Sequence, residues 1–323
     1  MPDLIFEKEI IGNKNGKHFK GKMGKEENLQ LRAENEKVPE KNKTKKSKIA
    51  LKIVAVIFAV LLIFIFTCWI LYIISDKNIG RWRPDYEMAD ISAVLEKDNL
   101  TKEDYSFLYE QTGLTEIGIQ RALNKGEAGK KRILKIQEEF FTEYKVENSE
   151  FDPLMCTDYI DRYTTNIYLE DGDIIVSAST HLSCMRIGHA GLVTNGENNE
   201  VLQAVAYGEP SEIGFMTDFT DRVNYMVLRP KFSEEVRKSV AEYAKNNLCG
   251  IKYSAFVGSF NKKSAKKTQC AHIVWFAYAK CGYNLLKKNT TLVLPYDLAN
   301  SDMVEVVQVS GFNPYTLWEN LMF

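Results

Sequence analysis

Histidine is scarce in this chain: four occur in 323 residues. His18 precedes the one long apolar run, at 53–74, so imidazole chemistry beyond that run falls to His181, His189 or His272. Net charge is nearly absent as well, at −1, which argues against a nucleic-acid binder. No second long apolar run follows, so one membrane crossing is the most the chain supports. No internal repeat occurs, and no low-complexity tract beyond the N-terminal tail. Cysteine is not paired in number: of six, Cys68 lies in the apolar run, leaving Cys156, Cys184, Cys249, Cys270 and Cys281. At least one of these five stays unpaired within the chain, which suits a working thiol or a buried one.

What is present begins with that apolar run. IVAVIFAVLLIFIFTCWILYII carries no charge, has no polar face and is long enough to cross about 30 Å of hydrocarbon as a helix. Trp69 and Tyr72 near its end suit an interfacial belt. A cleaved signal peptide would be shorter, would begin nearer the N-terminus and would end in small residues, unlike Ser75-Asp76-Lys77. Lys41, Lys43, Lys45, Lys46, Lys48 and Lys52 crowd its leading end, against Lys77, Arg81 and Arg83 behind it. The expectation is a single-pass cell-membrane protein with a cytoplasmic N-terminus and an extracytoplasmic remainder. Residues 1–48, rich in Lys, Glu and Asn, read as a disordered basic tail whose end can meet anionic headgroups. The anchor is then 49–75.

A helical juxtamembrane region is expected over 76–150, with Ile91, Val94 and Leu95, then Tyr105, Leu108 and Tyr109, then Ile133, Ile136 and Phe140 at helical spacings. Thr101 and Asp104 open one helix, Gly113 closes it, and another starts near Thr115 and stops around Gly126 or Gly129. These stripes are packing surface for a stalk or a cap. Within 151–323 the pattern turns to strands at 173–177, 190–194, 201–206, 224–228 and 303–309, with an amphipathic helix at 232–247. Sheet packed with helices makes the class α+β.

The reactive centre is placed at Cys270. A polar, lysine-rich loop at 261–267 leads into an apolar helix, with Thr268 as its expected N-cap and Cys270 in the first turn. Unpaired backbone N–H groups and the helix dipole there favour a thiolate and can hold an oxyanion. His272 sits two residues along the helix, turned about 200° away, so it reads as structural. His189, after Gly188 at the head of a strand, can point into a cleft, with Gly191 leaving room beside it. Gln203 on the next strand is the candidate to orient the imidazole. A two-residue turn at Asn195-Gly196 would send Gln203 to the opposite face, whereas a three- or five-residue loop within 195–199 returns it to the His189 face.

These motifs carry a resemblance. The order Gly-Asp-Ile-Ile (172–175), Gly-His-Ala-Gly-Leu-Val (188–193), Gly-x-x-Tyr (250–253) and Gln-Cys-Ala-His-Ile-Val-Trp (269–275), with Leu-Pro-Tyr-Asp-Leu (294–298), resembles the YiiX/YebB-like branch of the NlpC/P60 cysteine hydrolases over about 170–314. The resemblance implies a circularly permuted papain-like domain, with histidine ahead of cysteine. It also implies Cys270 as nucleophile, His189 as general base and then acid, Gln203 as orienter and Tyr253 lining the cleft; a thiol hydrolase of this kind is expected here to work without cofactor or metal. Cell-wall peptide is the implied substrate on an outward-facing domain, and a lipid or other acyl substrate for an acyltransferase or thioesterase is the alternative. A wall- or ligand-binding domain without turnover is a second alternative. A zinc site built from His181, Cys184, His189, Cys270 and His272 is the third, and the spacing of these ligands does not match a compact zinc module.

Overall fold

The computed structural model describes residues 40–77, 80–148, 155–182 and 185–319. The expected tail as far as residue 39, the expected boundary at 150 and 151, and Cys184 lie outside these residues. Helix α1 (Glu40–Lys77) contains a stretch, Ser47–Leu71, of mean hydropathy 3.1, long and apolar enough to cross a membrane. It begins ahead of position 49 because Glu40 and the lysines of the lead-in are good helix formers, which extend a helix already nucleated by the apolar run. The chain divides into two compact units at residues 65 and 66, inside α1.

The second unit starts with helices α2 (Ser92–Leu95), α3 (Lys102–Thr112), α4 (Glu116–Leu123) and α5 (Glu127–Phe141). The Thr101 hydroxyl accepts from the Asp104 backbone N–H while the Asp104 carboxylate accepts from the Thr101 backbone N–H, a reciprocal cap on α3. Gly113 then ends α3 in the left-handed region at φ 68°. Next come β1 (Val146–Asn148), β2 (Cys156–Ile160), β3 (Ile174–Ser177), β4 (Thr180–His181), β5 (His189–Asn195), β6 (Glu200–Gln203) and β7 (Glu212–Phe215). The chain continues through α6 (Thr217–Thr220), β8 (Tyr225–Pro230), α7 (Glu234–Asn247), β9 (Lys252–Tyr253) and β10 (Lys267–Thr268). It closes with α8 (Cys270–Lys280), α9 (Pro295–Ala299) and β11 (Val304–Ser310).

Six strands form an antiparallel sheet in the order β11-β8-β3-β5-β6-β7. β1, β2 and β4 make a small second sheet, and β9 and β10 a parallel pair. Alternation divides the main sheet between two cores. On one face Ile174, Val176, Ala190, Leu192, Leu202 and Leu228 pack with α7, α8 and α9. On the other, Ile175, Val193, Val201 and Val227 pack with Leu108, Leu114, Ile119, Ile133 and Ile136. The helices expected as a stalk or a cap are thus one of the two layers that cover the sheet.

The strands missed from sequence are mainly two to five residues long, too short for alternation to be read. The sheet depends on its α3–α5 layer, so Ile133→Ala is expected to lower unfolding stability by about 2–5 kcal/mol. Denaturant unfolding followed at once by far-ultraviolet dichroism and tryptophan fluorescence checks this, with both signals shifting together.

Candidate active site

Gly188 starts the site. Its φ of +70° turns the chain into β5, and a Cβ there would lie 2.3 Å from the Ser177 carbonyl oxygen, so glycine is required immediately before His189. His189 is buried, with its ring stacked on Phe219 at 5.2 Å between centroids. The room beside Gly191 is taken by Phe219 and Val201, since a Cβ at Gly191 would meet both.

Strand register decides where Gln203 points. β5 and β6 pair Leu192 with Leu202 and Val193 with Val201, then Asn195 with Glu200, so Thr194 is an extra residue in the ladder. Without that bulge, the Asn195–Glu200 pair would propagate to set Gln203 opposite Leu192, on the face away from His189. With it, Gln203 shares the His189 face, and Gln203 Oε1 lies 2.9 Å from His189 Nε2.

The direction of that bond follows from the next partner. Gln203 Nε2 donates to Asp218 Oδ2 at 2.6 Å. A carboxylate only accepts, so the amide turns its NH2 to Asp218 and its oxygen to His189. His189 Nε2 must then carry the proton, which leaves Nδ1 with the lone pair of a base. Asp218 also accepts from the Phe215 backbone N–H at 3.2 Å. Gly214 permits this close approach, since a Cβ there would lie 2.3 Å from Gln203 Nε2.

Cys270 is the first residue of α8. The N-cap is Gln269, not Thr268. Thr268 is held in β10 opposite Tyr253, and its hydroxyl hydrogen-bonds with His272 Nδ1 at 2.9 Å. Gln269 Oε1 accepts both the Ala271 backbone N–H at 2.8 Å and the Cys270 thiol at 3.3 Å, and Gln269 Nε2 donates to the Val293 carbonyl. The sulfur also receives backbone N–H groups of Ala190, Ala271 and Cys270 itself. The Ala190 contact brings the thiol beside the residue that follows His189, while no hydrogen bond joins Cys270 to His189 among the described residues.

Tyr253, half-buried in β9, is within electrostatic reach of Cys270. Burial, with the nearby thiol adding to it, pushes its phenol up to about 12. His272 packs on Trp275 and Phe276, away from the chemistry. His181 lies by Asp158, with 3.5 Å between His181 Nε2 and Asp158 Oδ1. Among the described residues no group of three or more His, Cys, Asp or Glu side chains is arranged to hold a metal ion.

Electrostatics corrects the expectation of a resting thiolate. Burial pushes Cys270 up to about 11, outweighing the backbone N–H groups and the Arg222 guanidinium that pull it down. Burial, reinforced by Arg222, holds His189 down to about 3 against the Gln203 bond. At neutral pH the pair rests as thiol and neutral imidazole. Arg222, which sequence reasoning missed together with Asp218 and Phe219, is buried within electrostatic reach of both groups. It donates to Thr180 Oγ1 at 3.0 Å, to Ser179 Oγ at 3.3 Å and to the Asp218 carbonyl at 2.7 Å. Asp221 and Asp218 lie within its electrostatic reach, and its charge also acts on Cys270 and His189. Thr217-Asp218-Phe219-Thr220-Asp221-Arg222 carries no periodicity that would single these residues out.

No family model matches the chain, and no curated protein matches it. Among solved structures, that of the metalloprotein yiiX from Escherichia coli O157:H7 is a neighbour, with 18% sequence identity and a TM-score of 0.35. It spans 43% of this chain and 97% of its own. The likeness is a partial one in fold, and the chemistry below rests on this chain's own residues.

Two predictions follow from the charges. His189 has a folded pKa below its ordinary 6.5, so the unfolded state takes up the proton first as pH falls. The stability this site contributes is present above pH 6.5 and is lost toward pH 3. By pH 5 the loss is about 2 kcal/mol, and His189→Gln should flatten the acid limb of a melting-temperature profile. Arg222→Met should move the pH midpoint of Cys270 alkylation upward, and Arg222→Lys should restore it, as read by peptide mass spectrometry.

Proposed function

We propose that this chain is a membrane-anchored cysteine hydrolase of the circularly permuted papain-like type, acting on amide bonds through Cys270, His189 and Gln203. The observation that carries the reading is the Asp218–Gln203–His189 hydrogen-bond chain. It leaves Nδ1 as the free base of an imidazole one residue from the Ala190 N–H that holds the Cys270 sulfur.

In the proposed reaction the Cys270 proton leaves Gln269 Oε1 for His189 Nδ1 as sulfur attacks the carbonyl carbon. The imidazolium is stabilised by Gln203 Oε1, and the thiolate by Arg222. The Cys270 N–H at the start of α8 is the proposed donor to the developing oxyanion, the Ala271 N–H being held by Gln269 Oε1. His189 returns its proton to the leaving nitrogen, releasing the amine and a thioester on Cys270. A water deprotonated by His189 then attacks that thioester, freeing the carboxylic acid and restoring the thiol. Tyr253 lines the cleft beside the sulfur.

The substrate proposed is cell-wall peptide, with the catalytic unit outside the cell and the N-terminus cytoplasmic, as the lysines crowded at the start of α1 favour. A second reading, hydrolysis or transfer of a lipid acyl group, is favoured by the segment between β9 and β10. There Phe256 and Phe260 are 87% and 63% exposed, among Lys262, Lys263, Lys266 and Lys267, on the chain leading into Cys270.

The test is full-length protein in nanodiscs with wall peptides or with fatty-acyl esters, trapped in acid and mapped by mass spectrometry. An acyl group on Cys270 from wall peptide, absent in Cys270→Ala, is expected. His189→Ala should slow its formation by roughly 10²–10⁴-fold. Acylation by the esters alone would transfer the reading to lipid, and none from either would overturn it.

A further inference from the structure

A cavity of about 710 Å3 opens at the opposite end of β5 from His189. At about 3.3 Å per residue along the strand, it lies roughly 20 Å from the imidazole. Its walls come from the α4–α5 junction, from the segment ahead of β3 and from the turn between β5 and β6.

The charge beneath it is unbalanced. Arg121 grips Asp173 through both terminal nitrogens, at 2.5 and 3.0 Å, and its Nε lies 3.1 Å from Glu170. Glu170 also takes Arg229 at 2.5 Å and Arg237 at 3.0 Å. Three guanidinium groups thus share two carboxylates at a largely buried floor. Burial, with repulsion from Arg121 and Arg237 adding to it, lowers the pKa of Arg229. At the cavity wall, Arg132 lies over the Tyr168 ring at 4.1 Å and the Lys125 ammonium at 5.8 Å. Arg132 is aimed by a bond to the Asn166 carbonyl at 3.1 Å. Neither Lys125 nor Arg132 has an ion pair among the described residues. Of the nearby acids, Glu197 is exposed at the rim and Asp171 is engaged by the Gly196 N–H at 2.7 Å.

A cavity lined by Arg121, with surplus guanidinium charge packed behind it, and by two cations that make no ion pair among the described residues suits an anion. We infer that this cavity is a second ligand site, which takes a phosphate-bearing small molecule by pairing it with Lys125, Arg132 and the surplus charge around Arg121. The ligand would bridge the α4–α5 layer to the edge of the sheet, so its binding reports on the packing of these two layers. The proposal is independent of the chemistry assigned to Cys270.

The test is calorimetric titration of full-length protein in detergent with inorganic phosphate and with pyrophosphate, at constant ionic strength set by chloride. The wild type should bind pyrophosphate saturably and melt higher in its presence. Lys125→Gln/Arg132→Gln should weaken binding at least about tenfold. The double variant, which gives up the Asn166 bond and the Tyr168 contacts of these side chains, should still show the wild-type far-ultraviolet dichroism and one cooperative melt without ligand, which separates lost binding from lost folding. No saturable binding of either anion, or equal binding by the double variant, overturns the inference.

Discussion

The hydrogen bond from the Gln203 amide to the Asp218 carboxylate fixes the chemistry of the site, because it settles every direction downstream of it. An amide can present either end to an imidazole, and only a partner that cannot donate removes the choice. With Asp218 as that partner, the oxygen faces His189, Nε2 carries the hydrogen and Nδ1 is a base. The arrangement needs the bulge at Thr194 to bring Gln203 to the right face, and Gly214 to let the three groups meet. A local irregularity of one strand pair thereby determines which nitrogen of one histidine can accept a proton.

Burial works against that arrangement. Taking Cys270 and His189 out of water favours their neutral forms, and both sit in the interior. Arg222 divides its influence, since its charge stabilises a thiolate and opposes an imidazolium. A resting thiol held on Gln269 protects the sulfur from oxidation and from metals, because the thiolate is the reactive species in both cases. In the proposed reaction, proton transfer then awaits a carbonyl that can use it.

Much of this was legible in the chain. The apolar run at 53–74 reads as a helix long and apolar enough to span a membrane, and α1 contains it, because length and lack of charge mark such a helix locally. Thr101 with Asp104, and Gly113, mark α3 by local chemistry alone. Cys270 at the head of a helix and His189 at the head of a strand follow from periodicity beside Gln269 and Gly188. The rest depends on distant contacts. Thr268 has the residue type of an N-cap, yet strand pairing with Tyr253 removes it from that role and Gln269 takes it. Asp218, Phe219 and Arg222 lie in a short polar segment whose importance comes only from the strands it touches. The thiolate expected at a helix start is an effect of the dipole, and tertiary burial outweighs it.

The most direct measurement is the tautomer of His189, read from its ring nitrogen chemical shifts in 15N-histidine-labelled protein and assigned with His189→Gln. At pH 7 the account predicts neutral imidazole with hydrogen on Nε2, retained to below pH 5, and a mixed tautomer in Gln203→Leu. Hydrogen on Nδ1 in the wild type, or protonation near pH 6.5, would contradict it.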